Sequence, residues 1–303
     1  MYQASRENID FIVKEGRPRE LYFDSPLPSG DGKVDRVKAL LFEAEKPKGA
    51  VIFLHGLGNR NFKPLRYYPE NFQHNGYTVV MPILPYHFER TPEGKKSGVA
   101  FLQGTDEEIM SHFEQAVTDV LVCLDYLQKS GYSRMNIMGF SFGGMISAIV
   151  MGLDRRIEKG IFVVTGGNFE YITWQSVATR VLRVSYEENE ECNQEKCHQL
   201  HLAFDSFART FSSPLDLEKM PVCFRYDPSL FAGLIKADKV LMFNALFDPF
   251  IPRKSADDLW VRLGKPKRYF LFSGHLTAHL LGKRFILDKS LAFLEGKEEE
   301  IFS

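Results

Sequence analysis

The sequence predicts an α/β fold, a doubly wound and mainly parallel sheet with a helical segment inserted late in the chain. Three observations carry that reading. Uninterrupted apolar runs of strand length alternate with helical patterns along most of the 303 residues. One strand-to-helix junction contains Gly139-Phe140-Ser141-Phe142-Gly143, a sharp turn that leaves its serine exposed at the end of a strand. The alternation is also interrupted once, for roughly seventy residues between Thr165 and Lys239, where links of about a dozen or fewer are usual.

The elements follow in order. Leu21 to Asp24 and Val37 to Ala44 read as early strands, separated by the turn-rich Ser25-Pro26-Leu27-Pro28-Ser29-Gly30-Asp31-Gly32. Ala50 to Leu54 and Tyr77 to Pro82 are apolar without alternation, as expected of strands covered on both faces. Pro64 to Asn75 suits the helix between them. Thr105-Asp106-Glu107-Glu108 is a capping box that opens the clearest helix in the chain. Ile109, Phe113, Val117, Val120, Leu124 and Leu127 recur at steps of three and four along it, and Gly131 stops it. Cys123 within that helix reads as a packing residue.

Asn136 to Met138 reads as a strand, Met145 to Gly152 as a helix and Gly160 to Thr165 as another strand. Lys239 to Asn244 and Arg268 to Phe272 are two more, with Ala256 to Leu263 the helix between them and Phe285 to Leu294 the closing helix. Within the long interval, Gln175 to Val184 and Asn189 to Phe211 look helical. We therefore expect a core formed by residues 1–168 and 237–303, capped by a helical insertion at 169–236. The acidic run Glu187-Glu188-Asn189-Glu190-Glu191 reads as a solvated face.

Composition narrows the function classes. Lys and Arg number 38 against 39 Asp and Glu, so no bulk field favours nucleic acid or an anionic membrane. No apolar stretch approaches the ~20 residues that span a bilayer, and the polar start lacks the apolar core of a secretory signal, so a cytoplasmic location is expected. Four cysteines make no disulfide framework for a chain this long. Cys192-x4-Cys197-His198, with His201 nearby, matches no common zinc spacing and is expected to be a charged helix.

Serine-based acyl transfer needs a base for the hydroxyl proton, a carboxylate to orient that base and donors for the oxyanion. Each has a candidate at the end of an expected strand. His275 follows Arg268 to Phe272, with His279 four residues on as its competitor; the glycine before His275 favours the former. Asp248, in Asp248-Pro249-Phe250-Ile251-Pro252, follows Lys239 to Asn244. Asp227 precedes a strand instead, and Asp257 and Asp258 fall on a helix.

At this point the chain resembles the α/β-hydrolase family. His55-Gly56-Leu57-Gly58, the serine elbow, Asp248 to Pro252, Gly274-His275 and the alternation joining them carry the likeness. The resemblance implies that Ser141 is the nucleophile, His275 the general base and acid, and Asp248 its carboxylate partner. It places the oxyanion donors on the backbone N–H groups of Leu57, with Gly58 as the alternative, and of Phe142. His55 is expected to brace the oxyanion loop. His87 and Arg90, in the loop after the strand ending at Pro82, are candidates for meeting a polar or anionic substrate group, against a plain solvated loop.

The implied activity is hydrolysis of a carboxylic ester of small or medium acyl size through an acyl-enzyme, with a small-molecule acyl substrate and no metal or organic cofactor. Thioester, lactone, peptide and carbon–carbon bond hydrolysis use the same three groups, and a ligand-binding scaffold without turnover is the reading from another class. Dehalogenases and epoxide hydrolases are disfavoured, since those relatives carry aspartate at the elbow. Phe169, Tyr171, Trp174 and Phe207 of the insertion are expected to shape specificity.

Overall fold

The computed structural model describes residues 1–188, 190 and 192–297. Nine strands among them form one sheet: β1 (Ile12–Lys14), β2 (Arg19–Asp24), β3 (Arg36–Phe42), β4 (Gly49–Leu54), β5 (Tyr77–Pro82), β6 (Met135–Phe140), β7 (Ile157–Val163), β8 (Val240–Phe247) and β9 (Lys267–Gly274). Their order is β1-β2-β3-β5-β4-β6-β7-β8-β9. The first three and the β3–β5 pair are antiparallel, and every pair from β5–β4 to β8–β9 is parallel.

The chain runs outward from β4 to β5, then returns to place β6 on the other side of β4. That reversal opens a crevice beyond the carboxyl ends of β4 and β6, the place where open sheets of this kind bind ligands. His55 to Gly58 follows β4 and Ser141 follows β6, so both motifs reach this crevice.

Every residue of β4, β5 and β6 is buried. Side chains alternate between two layers. Ala50, Ile52 and Leu54 pack with the helices Asp106–Lys129 and Phe142–Leu153, while Val51 and Phe53 pack with Tyr68 and Phe72 and with the final helix Lys283–Glu295. This two-sided burial explains why these strands read as continuous apolar runs. The capping box forms as expected: Thr105 accepts from the Glu108 N–H, and the Glu108 carboxylate accepts from the Thr105 N–H at 2.8 Å.

Among the strands, the structure departs from the expected elements in three places. β1 pairs with β2 at the sheet edge, but its three residues, two exposed and one half-buried, carry no readable pattern. β7 starts at Ile157, because Glu158 and Lys159 join the strand while their charged ends reach polar partners at its start. β8 runs on to Phe247 and β9 to Gly274, and Phe247 pairs with Gly274 although Leu246, Phe247 and Phe272 are exposed. The strand ends are held there by register, and burial is not what marks them.

Between β7 and β8 lie the helices Phe169–Gln175, Arg180–Glu188, Gln194–His201, Phe204–Thr210 and Pro228–Ala232. The expected helix over 175–184 is broken, because Ser176 is extended and Thr179 and Arg183 turn back onto the carbonyls of Thr173 and Ser176. The expected run from Asn189 to Phe211 is two helices meeting near Leu202, with Asn193 capping the first. Asn189 and Glu191 of the acidic run lie outside the described residues. No helix among the described residues is long and apolar enough to cross a membrane.

Candidate active site

Ser141 occupies a left-handed conformation, φ 52° and ψ −117°. Such a backbone costs on the order of 1–3 kcal/mol for a non-glycine residue and persists only where its surroundings over-determine it. Here the Ser141 N–H donates to the Val163 carbonyl at 2.8 Å, and Thr165 Oγ1 donates to the Ser141 carbonyl at 2.8 Å. The flanking glycines let the turn close. A Cβ on Gly139 would sit 2.2 Å from the Gly143 carbonyl oxygen, and one on Gly143 would sit 2.5 Å from that of Leu54. Both contacts are far inside van der Waals range, so the elbow rejects any side chain at either position.

Asp248 and His275 each come one residue after the paired residues Phe247 and Gly274. Parallel register thus sets their backbones side by side. His275 Nδ1 lies 2.8 Å from Asp248 Oδ2, and His275 Nε2 lies 2.9 Å from Ser141 Oγ. The other Asp248 oxygen accepts from the Phe250 and Ile251 N–H groups at 2.9 and 2.8 Å, which fixes the carboxylate's orientation. In this geometry the Nδ1 proton goes to the carboxylate and Nε2 is left to accept from the serine.

His279 lies on the short helix Ala278–Leu281, and burial, then the nearby His275, lowers its pKa. The competing carboxylates are engaged elsewhere. Asp257 pairs with Arg253 and Arg268, and Asp258 with Arg262 and the Ser229 hydroxyl. Asp227 is fully buried and accepts from the N–H groups of Asn168, Phe169 and Ser229 at 2.9, 2.6 and 2.8 Å. It ties the start of the insertion to its end, a role the sequence did not reveal. Burial pushes its pKa up to about 7 against those three donors.

Leu57 and Phe142 both border the crevice beside Ser141. Phe142 is the first residue of the helix Phe142–Leu153, so its N–H has no partner inside that helix and gains from the positive end of the helix dipole. The loop carrying Leu57 is braced on several sides. Asn59 Oδ1 accepts from the Gly56 N–H at 2.9 Å, and the Ser97 hydroxyl donates to the Asn59 carbonyl at 2.8 Å. His55 is fully buried; its Nδ1 lies 3.1 Å from the Gly56 carbonyl, and its Nε2 accepts from the Leu84 N–H at 3.1 Å. Asn59 and Ser97 carried no sequence signal, being polar loop residues that only the fold brings together.

His87 and Arg90 correct the expectation attached to them. Neither borders the cavity, and neither sits in a solvated loop. His87 Nε2 lies 3.0 Å from the Leu57 carbonyl and Nδ1 2.8 Å from that of Pro85, so the ring props the Leu57 loop from behind. A neutral imidazole donates to just one of them, and burial drives the His87 pKa down to about 4, keeping it neutral. Arg90 is buried with Asp119 at 2.8 Å and donates to the carbonyls of Val34 and Ile83 at 2.7 Å each. Asp119 in turn accepts from Ser25 at 2.6 Å. Arg90 therefore locks the loop after β5 to the long helix. Loop position alone suggested an exposed pair, and the partners that bury it lie far away in sequence.

Ser141 and His275 open into a cavity of about 440 Å³. Its floor is the core, through Leu57, Phe142 and Met145, and its far walls come from the insertion, through Phe169, Ile172, Leu182 and Tyr226. Of the four aromatic residues expected to shape specificity, only Phe169 borders it. Cys192, Cys197, His201 and Cys223 border it too. The helix Gln194–His201 is thus two-sided: Cys197 and His201 turn inward, while His198 faces out to Glu170 at 2.7 Å. The four cysteines are free thiols, and no group of three or more potential metal ligands gathers among the described residues.

Residues 49–180 match a family model described as the alpha/beta hydrolase fold. A stretch of 71 residues is 37% identical to the uncharacterized protein YdjC of Bacillus subtilis (strain 168); it covers 23% of this chain and 60% of that relative. Among solved structures, the acetyl xylan esterase of Paenibacillus sp. R4 superposes with a TM-score of 0.66 at 16% identity, over 92% of this chain and 88% of that one. Acetyl xylan esterase 1 of Thermoanaerobacterium sp. JW/SL YS485 gives 0.56 at 18% identity, over 93% and 87%. Identities this low speak for the fold alone, and the fold they indicate is the one whose strand reversal and serine elbow are described above. The protein has the alpha/beta hydrolase fold.

Proposed function

We propose that the protein is a serine hydrolase that cleaves a carboxylic ester of a small or medium acyl group. The observation that carries this is the unbroken relay from Asp248 through His275 to Ser141, at 2.8 and 2.9 Å, on the floor of a largely apolar cavity. Esterases among the structural neighbours agree with it. Ser141 attacks the acyl carbonyl as His275 takes its proton. The developing oxyanion is met by the N–H groups of Leu57 and Phe142. His275 then protonates the leaving alcohol, and a water activated by the same ring releases the acyl group from the serine.

The insertion, residues 169–236, acts in this reading as a cap that supplies the acyl-facing wall. Asp227 pins both of its ends to one point, so the cap is anchored as a unit. The test is active-site labelling with a fluorophosphonate. The parent protein is expected to be labelled stoichiometrically and to turn over p-nitrophenyl acyl esters. A folded Ser141→Ala protein that labels as well as the parent would overturn the assignment.

A further inference from the structure

One half-buried carboxylate borders the cavity without being used by the reaction. Asp106 opens the helix Asp106–Lys129 and borders the same cavity as Ser141 and His275. Its Oδ1 accepts from the hydroxyls of Tyr226 and Tyr186, the latter at 3.2 Å. Among the described residues no donor reaches its Oδ2, which leaves that oxygen for the cavity that Asp106 borders. Burial raises the Asp106 pKa, and the tyrosine donors work against that rise.

The path from serine to carboxylate is a chain of rings. Phe142, next to Ser141, packs edge-on against Phe113 at 5.6 Å, and Phe113 stacks on Tyr226 at 4.7 Å, whose hydroxyl meets Asp106. Phe113 and Asp106 share one helix, seven residues apart, which is about 10 Å of rise. That stretch alone takes an acyl chain of on the order of eight carbons to cross, with the Phe142–Phe113 step at its serine end.

We propose that Asp106, framed by Tyr186 and Tyr226, is a specificity subsite for a hydrogen-bond donor at the far end of the acyl chain, so that the enzyme favours medium-chain esters ending in a hydroxyl or a protonated amine over those ending in a methyl group. The inference rests on the hydrolase reading above. An apolar tail gives the open oxygen of Asp106 nothing in exchange for lost water, whereas a terminal donor replaces that water with a charge-assisted bond. Both donor types satisfy the carboxylate, and the amine also neutralises it.

The test compares kcat/KM for p-nitrophenyl octanoate, ω-hydroxyoctanoate and ω-aminooctanoate. The parent enzyme is expected to prefer one or both donor-ended esters roughly tenfold or more, the scale of one bond to a charged acceptor. Preference for the amine alone identifies a cation site, and equal preference identifies a hydroxyl-accepting one. In Asp106→Asn the amide oxygen still accepts from both tyrosines, so the wall stays in place while the open acceptor becomes a donor. That variant is expected to lose the preference while keeping its octanoate kcat/KM within about threefold. A purely structural role would lower all three esters together. A parent enzyme that favours octanoate, or a variant that keeps the preference, overturns the subsite and leaves the hydrolase reading standing. No turnover of any ester overturns both.

Discussion

Replacing Asp248 with asparagine separates the two things its carboxylate does. One oxygen holds the Phe250 and Ile251 N–H groups, and the other faces His275 Nδ1 at 2.8 Å. In D248N the amide oxygen can keep the loop contacts while the NH₂ turns toward His275. A donor there forces Nδ1 to accept, which moves the ring proton to Nε2, 2.9 Å from Ser141 Oγ. The base then meets the serine with a proton already in place. Such a tautomer error lowers kcat on the order of 10⁴-fold, equivalent to about 5 kcal/mol of transition-state stabilisation. KM should move little, because Asp248 does not border the cavity. Steady-state turnover of a p-nitrophenyl ester measures the loss. A urea titration should place D248N within about 1 kcal/mol of the parent, since the loop acceptor is retained. Asp248→Ala, which removes that acceptor too, should lose roughly 1–3 kcal/mol of stability as well as activity. A folded D248N protein turning over within tenfold of the parent would show that His275 does not depend on this carboxylate.

Three further outcomes are expected. Gly143→Ala should gain about 1 kcal/mol of helix propensity yet lose overall by roughly 3 kcal/mol or more, because the new methyl meets the Leu54 and His55 carbonyls at 2.5 and 2.6 Å; an unchanged urea midpoint would contradict this. Arg90→Met should cost about 3–5 kcal/mol by stranding the Asp119 carboxylate in the core, and pairing it with Asp119→Leu should recover most of the loss in the same titration. His87 has a folded pKa of about 4 against an ordinary 6.5, so the unfolded chain binds more protons between those values and stability falls on acidification through that window. Asp227, raised to about 7, titrates in the opposite sense there, so the parent must be compared with His87→Asn. Relative to that variant, the parent should lose about 3 kcal/mol between pH 7 and pH 4, and parallel stability curves would refute the shift.

The sequence alone was enough to find the groups whose chemistry is local. The elbow announces itself because the backbone strain at Ser141 demands small neighbours within two residues on each side. Strands β4, β5 and β6 announce themselves because burial on two faces keeps them almost wholly apolar, Thr78 and Asn136 being the polar exceptions. The capping box at Thr105 and Glu108 is likewise a three-residue contact, and it formed as written. His275 and Asp248 could be nominated from their positions after apolar runs, yet nothing within either segment says that Phe247 and Gly274 share a register.

What lay beyond the sequence depends on partners distant along the chain. His87 and Arg90 looked like exposed loop residues until the fold set Leu57 over one and Asp119 beside the other. Asp227 looked like a misplaced catalytic carboxylate until Asn168 and Phe169 were brought to it. Asp106 read only as the start of a helix, because its tyrosine partners come from residues 186 and 226, inside the interruption. Periodicity and turn chemistry are written over a few residues and survive in one dimension; which buried polar group meets which is decided only when the sheet closes, since desolvation makes every unpaired choice too costly to keep.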